Sequence, residues 1–400
     1  VASIQTPLRG FSTSREGNTR KTMVGAVLRY GVIGTGLMGV EHIHNLGTMR
    51  GKGLAVDVAA VADPHEPSRA AACRALQEMS LPRSKVFTDY REMLRGDHCD
   101  VLIVCTPNHT HRKVVMDIFD ASPAVHVLIE KPLCTTVEDC LAVEKAAKSR
   151  TGLVWVGLEY RYMPPVARLI EEVTQRQSIG KLHMIKATEH RFPFLHKVDN
   201  WNRFTKNSGD TLVEKCCHFF DLFNVINSGA QPLRIIASGA QSVNHLDEVY
   251  QGERSDILDN AYCLIEYSNG VRACLDICMF ADATFSQEEV VAVGDCGKVE
   301  ARLPQSTIRV GLRGVHWIGE VPEQYVPDDS GYAGHHFGSS LRENGEFLSL
   351  LQETDPSYAS EVATSCVERG VLSVAMGVAA QKSISENRWV SMKEVLPHLY

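Results

Sequence analysis

One short stretch constrains this chain more than any other. An apolar run, Leu28-Arg29-Tyr30-Gly31-Val32-Ile33, leads directly into Gly34-Thr35-Gly36-Leu37-Met38-Gly39, and residues 40–49 can continue as a helix. Three glycines at this spacing have separate tasks at a strand-to-helix turn. Gly34 permits the tight turn, Gly36 lets a diphosphate approach the backbone, and Gly39 lets helix and strand pack closely. The diphosphate then meets the positive end of the helix, where free N–H groups point at it. Thr35, Leu37 and Met38 belong to the same binding turn. A second apolar segment, 56–63, ends in Asp63. A carboxylate there accepts hydrogen bonds from a ribose diol and repels a 2′-phosphate. The pattern predicts NAD, with NADP left open by the nearby Arg69.

The alternation continues beyond this unit. Residues 100–107 predict a buried strand ended by Pro107, followed by a helix at 109–119 and a strand at 125–130. Thr135 and Thr136, with Glu138 and Asp139 three residues on, offer an N-cap for a helix at 137–148. A further short strand falls at 153–157. Strands alternating with helices predict a parallel sheet, hence an α/β Rossmann domain over 27–158. Such sheets bind ligands beyond the carboxyl ends of their strands, where Thr106, Pro107, Asn108, Glu130 and Lys131 fall.

A chain of 400 residues exceeds what one core usually serves, so a second domain is expected over 159–400. The net charge of −7 argues against a nucleic-acid partner, because binding a phosphate backbone rests on clustered Lys and Arg. No apolar run is expected to reach the roughly 20 residues that span a bilayer. The best, 54–62, is broken by Asp57. Twelve cysteines form no CxxC pair, and Cys105, Cys263, Cys274 and Cys278 sit in apolar runs. That usage suits a reducing compartment, and the cytoplasm is the expected location. Residues 1–24 have Glu16 as their only acid and show no hydrophobic period. They read as a disordered extension ahead of Met23 or a transit-peptide remnant, so organellar targeting stays open.

The second half predicts a helix at 166–175, then apolar or alternating segments at 182–189, 233–240, 261–267, 271–280 and 289–293. Ser268-Asn269-Gly270 is a hairpin signal between two of them. The reading is an α+β domain: a mainly antiparallel, open-faced sheet with helices on one face. If 211–226 is one helix, Glu214, His218 and Asp221 fall at i, i+4 and i+7 on a single face. A carboxylate one turn away orients an imidazole and raises its pKa, which suits His218 to take a hydroxyl proton. A surface Glu–His pair would give the same spacing. His190, Trp201, Arg203 and Lys215 are candidate substrate contacts. No metal is expected: the His42/His44 and His109/His111 pairs lie in the motifs above, Cys216-Cys217-His218 lacks zinc spacing, and His335-His336 shows no partner.

Four stretches in order carry a resemblance: the glycine turn, Thr106-Pro107-Asn108-His109-Thr110-His111, Glu130-Lys131-Pro132, and Gly209-Asp210-Thr211-Leu212-Val213-Glu214-Lys215-Cys216-Cys217-His218-Phe219-Phe220-Asp221. Together they resemble the glucose–fructose oxidoreductase / inositol dehydrogenase (Gfo/Idh/MocA) family, from Leu28 to a helix near 370–385. The resemblance implies that Thr106, Pro107, Asn108, His111, Glu130 and Arg161 lie near the cofactor, and Lys131 beside both nicotinamide and substrate. It places His218 at the family's catalytic histidine and Glu214 at its usual aspartate. It also reads Leu158-Glu159-Tyr160-Arg161-Tyr162 as the crossover into the second domain. A lysine desolvated beside another cation would have a lowered pKa and could move protons. Two departures stand out: Asp210 where relatives often carry glycine, and Glu214, one methylene longer than aspartate. The implied activity is oxidation of a secondary hydroxyl on a sugar, glycoside or cyclitol, with Lys131, His218 and Glu214 handling the proton. A redox-neutral NAD-using glycosidase, epimerase or dehydratase and a non-catalytic NAD-binding sensor are the alternatives. A homo-oligomer, dimer or tetramer, is expected, with no membrane partner.

Overall fold

Strands whose residues are buried on both faces need cover above and below, and the strand Val101–Val104 is buried along its whole length. The computed structural model describes residues 27–399 apart from 82, 97, 329 and 333, so the extension 1–24 lies outside the described residues. The first half alternates β1 (Leu28–Ile33), α1 (Leu37–Gly51), β2 (Val56–Ala62), α2 (Glu66–Glu78), β3 (Lys85–Phe87), α3 (Tyr90–Leu94), β4 (Val101–Val104), α4 (His111–Ala121), β5 (His126–Glu130), α5 (Val137–Ala147) and β6 (Val154–Gly157). The six strands form a parallel sheet in the order β3-β2-β1-β4-β5-β6. Strand order reverses between β1 and β4, which opens a cleft at their carboxyl ends. Thr136 caps α5 as its sequence position suggests, its Oγ1 accepting from Asp139 N at 3.2 Å.

A 3₁₀ turn, Glu159–Tyr162, leads into α6 (Pro164–Thr174) and the second sheet. There follow β7 (Leu182–His190), α7 (Thr205–Ser208), α8 (Thr211–Glu214), α9 (Cys217–Ile226), β8 (Pro232–Ala240) and a ribbon of β9 (Val249–Tyr250) with β10 (Glu253–Arg254). Next come β11 (Asn260–Tyr267), β12 (Arg272–Cys278), β13 (Glu288–Gly294), β14 (Gly297–Leu303), β15 (Thr307–Leu312) and β16 (Gln324–Tyr325). The chain closes with α10 (Ser339–Leu351), α11 (Pro356–Glu386), β17 (Val390–Ser391) and α12 (Met392–Val395). Nine strands pair in the order β16-β15-β14-β13-β7-β12-β11-β8-β17, antiparallel throughout except β7 with β12. Ser268-Asn269-Gly270 makes the β11–β12 hairpin, with Gly270 at φ +84°. β14 and β15 extend the sheet past the last segment expected from sequence.

Period-two alternation turns Ala261, Cys263 and Ile265 inward and leaves Tyr262 and Leu264 on an uncovered face. α6 packs on β13, β14 and β15, α11 packs on β8, and α9 lies against α11. α11 is long and apolar enough by composition to cross a bilayer, yet 67% of its most apolar window is buried. It works as a core helix. The last two long helices also return to the first domain. Asn344 on α10 meets His42 on α1 (Nδ2 to Nδ1, 3.0 Å), and Cys366 on α11 lies 3.4 Å from Val156 N on β6. None of the twelve cysteines forms a disulfide among the described residues.

Candidate active site

The cofactor cradle is mostly backbone. Gly34 has φ +87°, and a Cβ there would lie 2.6 Å from the Cys105 carbonyl oxygen. A Cβ at Gly39 would sit 2.0 Å from Gly34 O. At Gly36, by contrast, nothing lies within 4 Å, so the bare backbone faces open space. α1 starts there with no side-chain cap and no acid in its first turn. Asp63 is fixed at the end of β2: Oδ2 accepts from Thr35 N at 2.7 Å and Oδ1 from His65 N at 2.8 Å. Arg69 donates to the carbonyls of Asp63 and Pro64, at 2.8 and 2.7 Å, so its guanidinium is already engaged. Thr35 Oγ1 is buried without a partner among the described residues, and Leu37 is exposed beside it. Diphosphate, ribose and open helix end all have their counterparts here. The residues fit NAD.

Beyond β4 and β5 the loops are tied to one another. His111 is fully buried between the carbonyls of Pro132 and Thr106, each at 2.9 Å, and burial pulls its pKa down. Glu130 pairs with His42 at 2.7 Å and also accepts from Lys131 N at 3.2 Å. His42, Cys105 and Glu130 hold a nitrogen, a sulfur and an oxygen within 4.8 Å of one another, but His42 is already spent on Glu130 and Asn344. Asn108 is buried after Pro107 and donates to Ser208 O at 3.1 Å and to the Glu214 carboxylate. Thr106 Oγ1 accepts from Thr110 at 2.7 Å.

Lys131 joins the two domains. Its Nζ donates to Glu214 O at 3.2 Å and lies 3.9 Å from Glu214 Oε1. Burial works to lower its pKa, but Glu214, Cys217, Glu159 and Glu130 outweigh that and hold it above the usual lysine value. This corrects the sequence expectation of a depressed lysine. The dominant neighbours are anionic groups rather than a second cation, so Lys131 is a charged donor.

The expected helix over 211–226 is broken. α8 ends at Glu214, and the amide of Cys216 reaches back five residues to Thr211 O at 3.1 Å before α9 begins. That π-type step interrupts the regular register between Glu214 and His218, and each side chain takes a partner of its own. Glu214 turns to Lys131 and Asn108. His218 Nε2 instead faces Glu159 Oε1 at 3.6 Å, with the Tyr160 ring stacked on it at 3.9 Å and 5°. Its pKa is not raised but falls well below the usual value, through burial first and then the charges of Lys131 and Lys215. His218 is therefore a neutral imidazole at neutral pH.

Asp221 pairs with Arg161, both buried, with Nε to Oδ2 at 3.1 Å. The structure thus spends Arg161 on bracing the crossover against α9. Lys215 points inward to Glu189 Oε1 at 2.9 Å and to the Tyr160 hydroxyl. His190 meets Asp276 on the adjacent strand at 2.8 Å. Trp201 stands 6.4 Å from His109. Arg203 is engaged elsewhere, by Glu248 at 3.1 Å and Phe194 O at 3.0 Å, and is not brought to Lys131. Asp210 takes φ +66°, a conformation glycine adopts more easily, while its carboxylate accepts from Leu258 N at 2.7 Å.

Several groups at this site escaped the sequence reading. Glu159 follows the carboxyl end of β6 and could have been suspected from that position. Glu288, pushed up to about 7 by burial and Glu189, lies on β13 and pairs through β7 with nothing local to announce it. Lys197 carries a pKa lowered by burial, with Glu214 and Lys131 within its field. His336, partnerless in sequence, lies 3.7 Å from Glu159 Oε1.

Comparisons with known proteins agree with this layout. Residues 28–158 match a model described as "oxidoreductase family, NAD-binding Rossmann fold", and residues 171–392 match that family's C-terminal alpha/beta domain. The myo-inositol 2-dehydrogenase of Thermotoga maritima is 26% identical over 376 residues, 92% of this chain and 100% of the relative. An alpha-N-acetylgalactosaminidase of Shewanella oneidensis is 27% identical over 227 residues, 52% of this chain and 48% of the relative. Levoglucosan dehydrogenase solved with NADH and levoglucosan superposes with a TM-score of 0.73 at 18% identity, over 91% of this chain and 99% of that one. At that identity the likeness is one of fold.

Proposed function

This chain belongs to the NAD-binding Gfo/Idh/MocA oxidoreductase family, and from that premise we propose that it oxidises a secondary hydroxyl of a cyclitol, sugar or glycoside. The observation that carries the reading is the meeting of Lys131, at the end of a cofactor-domain strand, with Glu214 and the His218 segment of the second domain. Bound NAD supplies the hydride acceptor at nicotinamide C4. The chain's own groups handle the proton. Neutral His218 takes it from the hydroxyl. Charged Lys131, positioned by Glu214 and Asn108, stabilises the negative charge that develops on that oxygen. Lys215 and His190, held by Glu189 and Asp276, are suited to donate to further hydroxyls.

The test is a panel of myo-inositol, levoglucosan, aldoses and glycosides with NAD and NADP in parallel, followed by the absorbance of the reduced cofactor. Stoichiometric NADH with one of them is the expected result. NAD binding without any absorbance change on the whole panel would sink the reading. The similarity to an alpha-N-acetylgalactosaminidase favours one second reading, redox-neutral turnover, which forms product and no net NADH. Twelve cysteines with no disulfide among the described residues support a reducing compartment such as the cytoplasm. Exposed Met184, Tyr262 and Leu264 on the open sheet face support a homo-oligomer, which light scattering would measure.

A further inference from the structure

A base that works once per turnover must also lose its proton each time, and His218 is 1% exposed. Tyr160 covers one ring face at 3.9 Å. Among the charged neighbours, Lys131 is held protonated and cannot accept. Lys215 is engaged by Glu189 and Tyr160, and Glu214 is turned to Lys131 and Asn108. That leaves Glu159. Its Oε1 lies 3.6 Å from His218 Nε2 and 3.7 Å from His336 Nδ1, so one oxygen stands between two imidazoles. Neither Glu159 oxygen has a hydrogen-bond partner among the described residues, and nor does His218 Nδ1. Buried carboxylates are ordinarily hydrogen-bonded, so two bare oxygens at this depth call for an explanation. Side-chain exposure climbs along the series from 1% at His218 through 2% at Glu159 to 19% at His336.

Resting on the dehydrogenase reading above, we propose that Glu159 and His336 carry the substrate's hydroxyl proton from His218 to solvent. The hydroxyl O–H bond breaks and His218 Nδ1 takes the proton as the carbonyl forms. The imidazolium then releases its Nε2 proton to the Glu159 carboxylate. Glu159 passes it to His336 Nδ1, His336 releases its other ring proton to water, and proton exchange between the two nitrogens of each ring restores the starting tautomers before the next turnover. Both gaps exceed a hydrogen bond, and such contacts are often long before substrate closes the site. The groups that face Glu159 are Glu130, Lys131, Lys215, Glu343, the Cys217 thiol, the Tyr160 hydroxyl and the two histidines. Burial and then Glu130 push its pKa up to about 8, whereas His218 is depressed, so transfer from imidazolium to carboxylate runs downhill. Glu159 accepts only when ionised. Oxidation rate should therefore climb as pH rises through about 8.

The experiment uses the full chain with NAD and whichever panel substrate the wild type oxidises, comparing Glu159→Gln and His336→Asn. The relay predicts a kcat loss of about a hundredfold or more with KM nearly unchanged, within the range of proton-transfer contributions. It also predicts loss of the alkaline rise in Glu159→Gln and partial rescue of His336→Asn by added imidazole. In cofactor-free protein, infrared spectra should show a carboxylic-acid band that titrates away near pH 8 and is absent from Glu159→Gln. Should Glu159→Gln fail to fold, imidazole rescue of His336→Asn decides. Variants with wild-type kcat and an unchanged pH profile overturn the relay and leave the dehydrogenase reading standing. A wild type that binds NAD and oxidises no polyol overturns that reading, and the relay with it.

Discussion

The two halves of the site are built from different materials. The cofactor half uses backbone: three glycines, an open helix end and one carboxylate held by two amides. Its parts lie within one βαβ unit, so local sequence prescribes it. The proton-handling half uses buried side chains drawn from α8, α9, the crossover, β7 and the segment around His336. Its charges survive burial only because they face one another, which makes it sensitive to single substitutions in a way the cradle is not.

The sharpest way to separate the halves is Lys131→Met. Loss of a charged donor at the reacting oxygen should cut kcat by about 10²–10⁴-fold, while NAD affinity by fluorescence titration stays near wild type. A comparable loss of NAD binding would erase the division. Asp221→Asn strands the buried Arg161 charge and should cost about 3–5 kcal/mol in urea unfolding. A cost below about 1 kcal/mol would mean that the pair is open to water. Asp63→Asn addresses the cradle alone. A charged hydrogen bond to ribose is worth about 1.5–3 kcal/mol, so NAD affinity should fall about tenfold to a hundredfold with kcat at saturation retained. The smallest effect belongs to a part that serves neither half. Thr136→Ala removes the α5 cap and should cost about 1 kcal/mol of stability with no kinetic change.

Each discrepancy between pattern and structure has an identifiable cause. The pairing of Glu214 with His218 assumes an uninterrupted helix, but a π-type step follows α8 and the two side chains are drawn to different partners, Lys131 and Glu159. The depressed pKa expected of Lys131 rested on a nearby cation, and although Lys197 and Lys215 lie within its field, Glu214, Glu159 and Glu130 dominate. Arg161 and Arg203 look alike as candidates for a ligand, yet each has a carboxylate partner distant in sequence, Asp221 and Glu248. No local rule reveals such partners.

Residues 28–63 alone carry enough information to specify a dinucleotide cradle, because glycine geometry, strand burial and one acid act over a few neighbours. The four motifs in order likewise identify the family without any coordinates. Which carboxylate faces which base is a different kind of fact. It depends on where β5, β6, α9 and the turn Gly334–His336 come to rest against one another. Electrostatic energies in a buried site change by kilocalories over an ångström or two, so only the packed structure could turn His218 from Glu214 to Glu159.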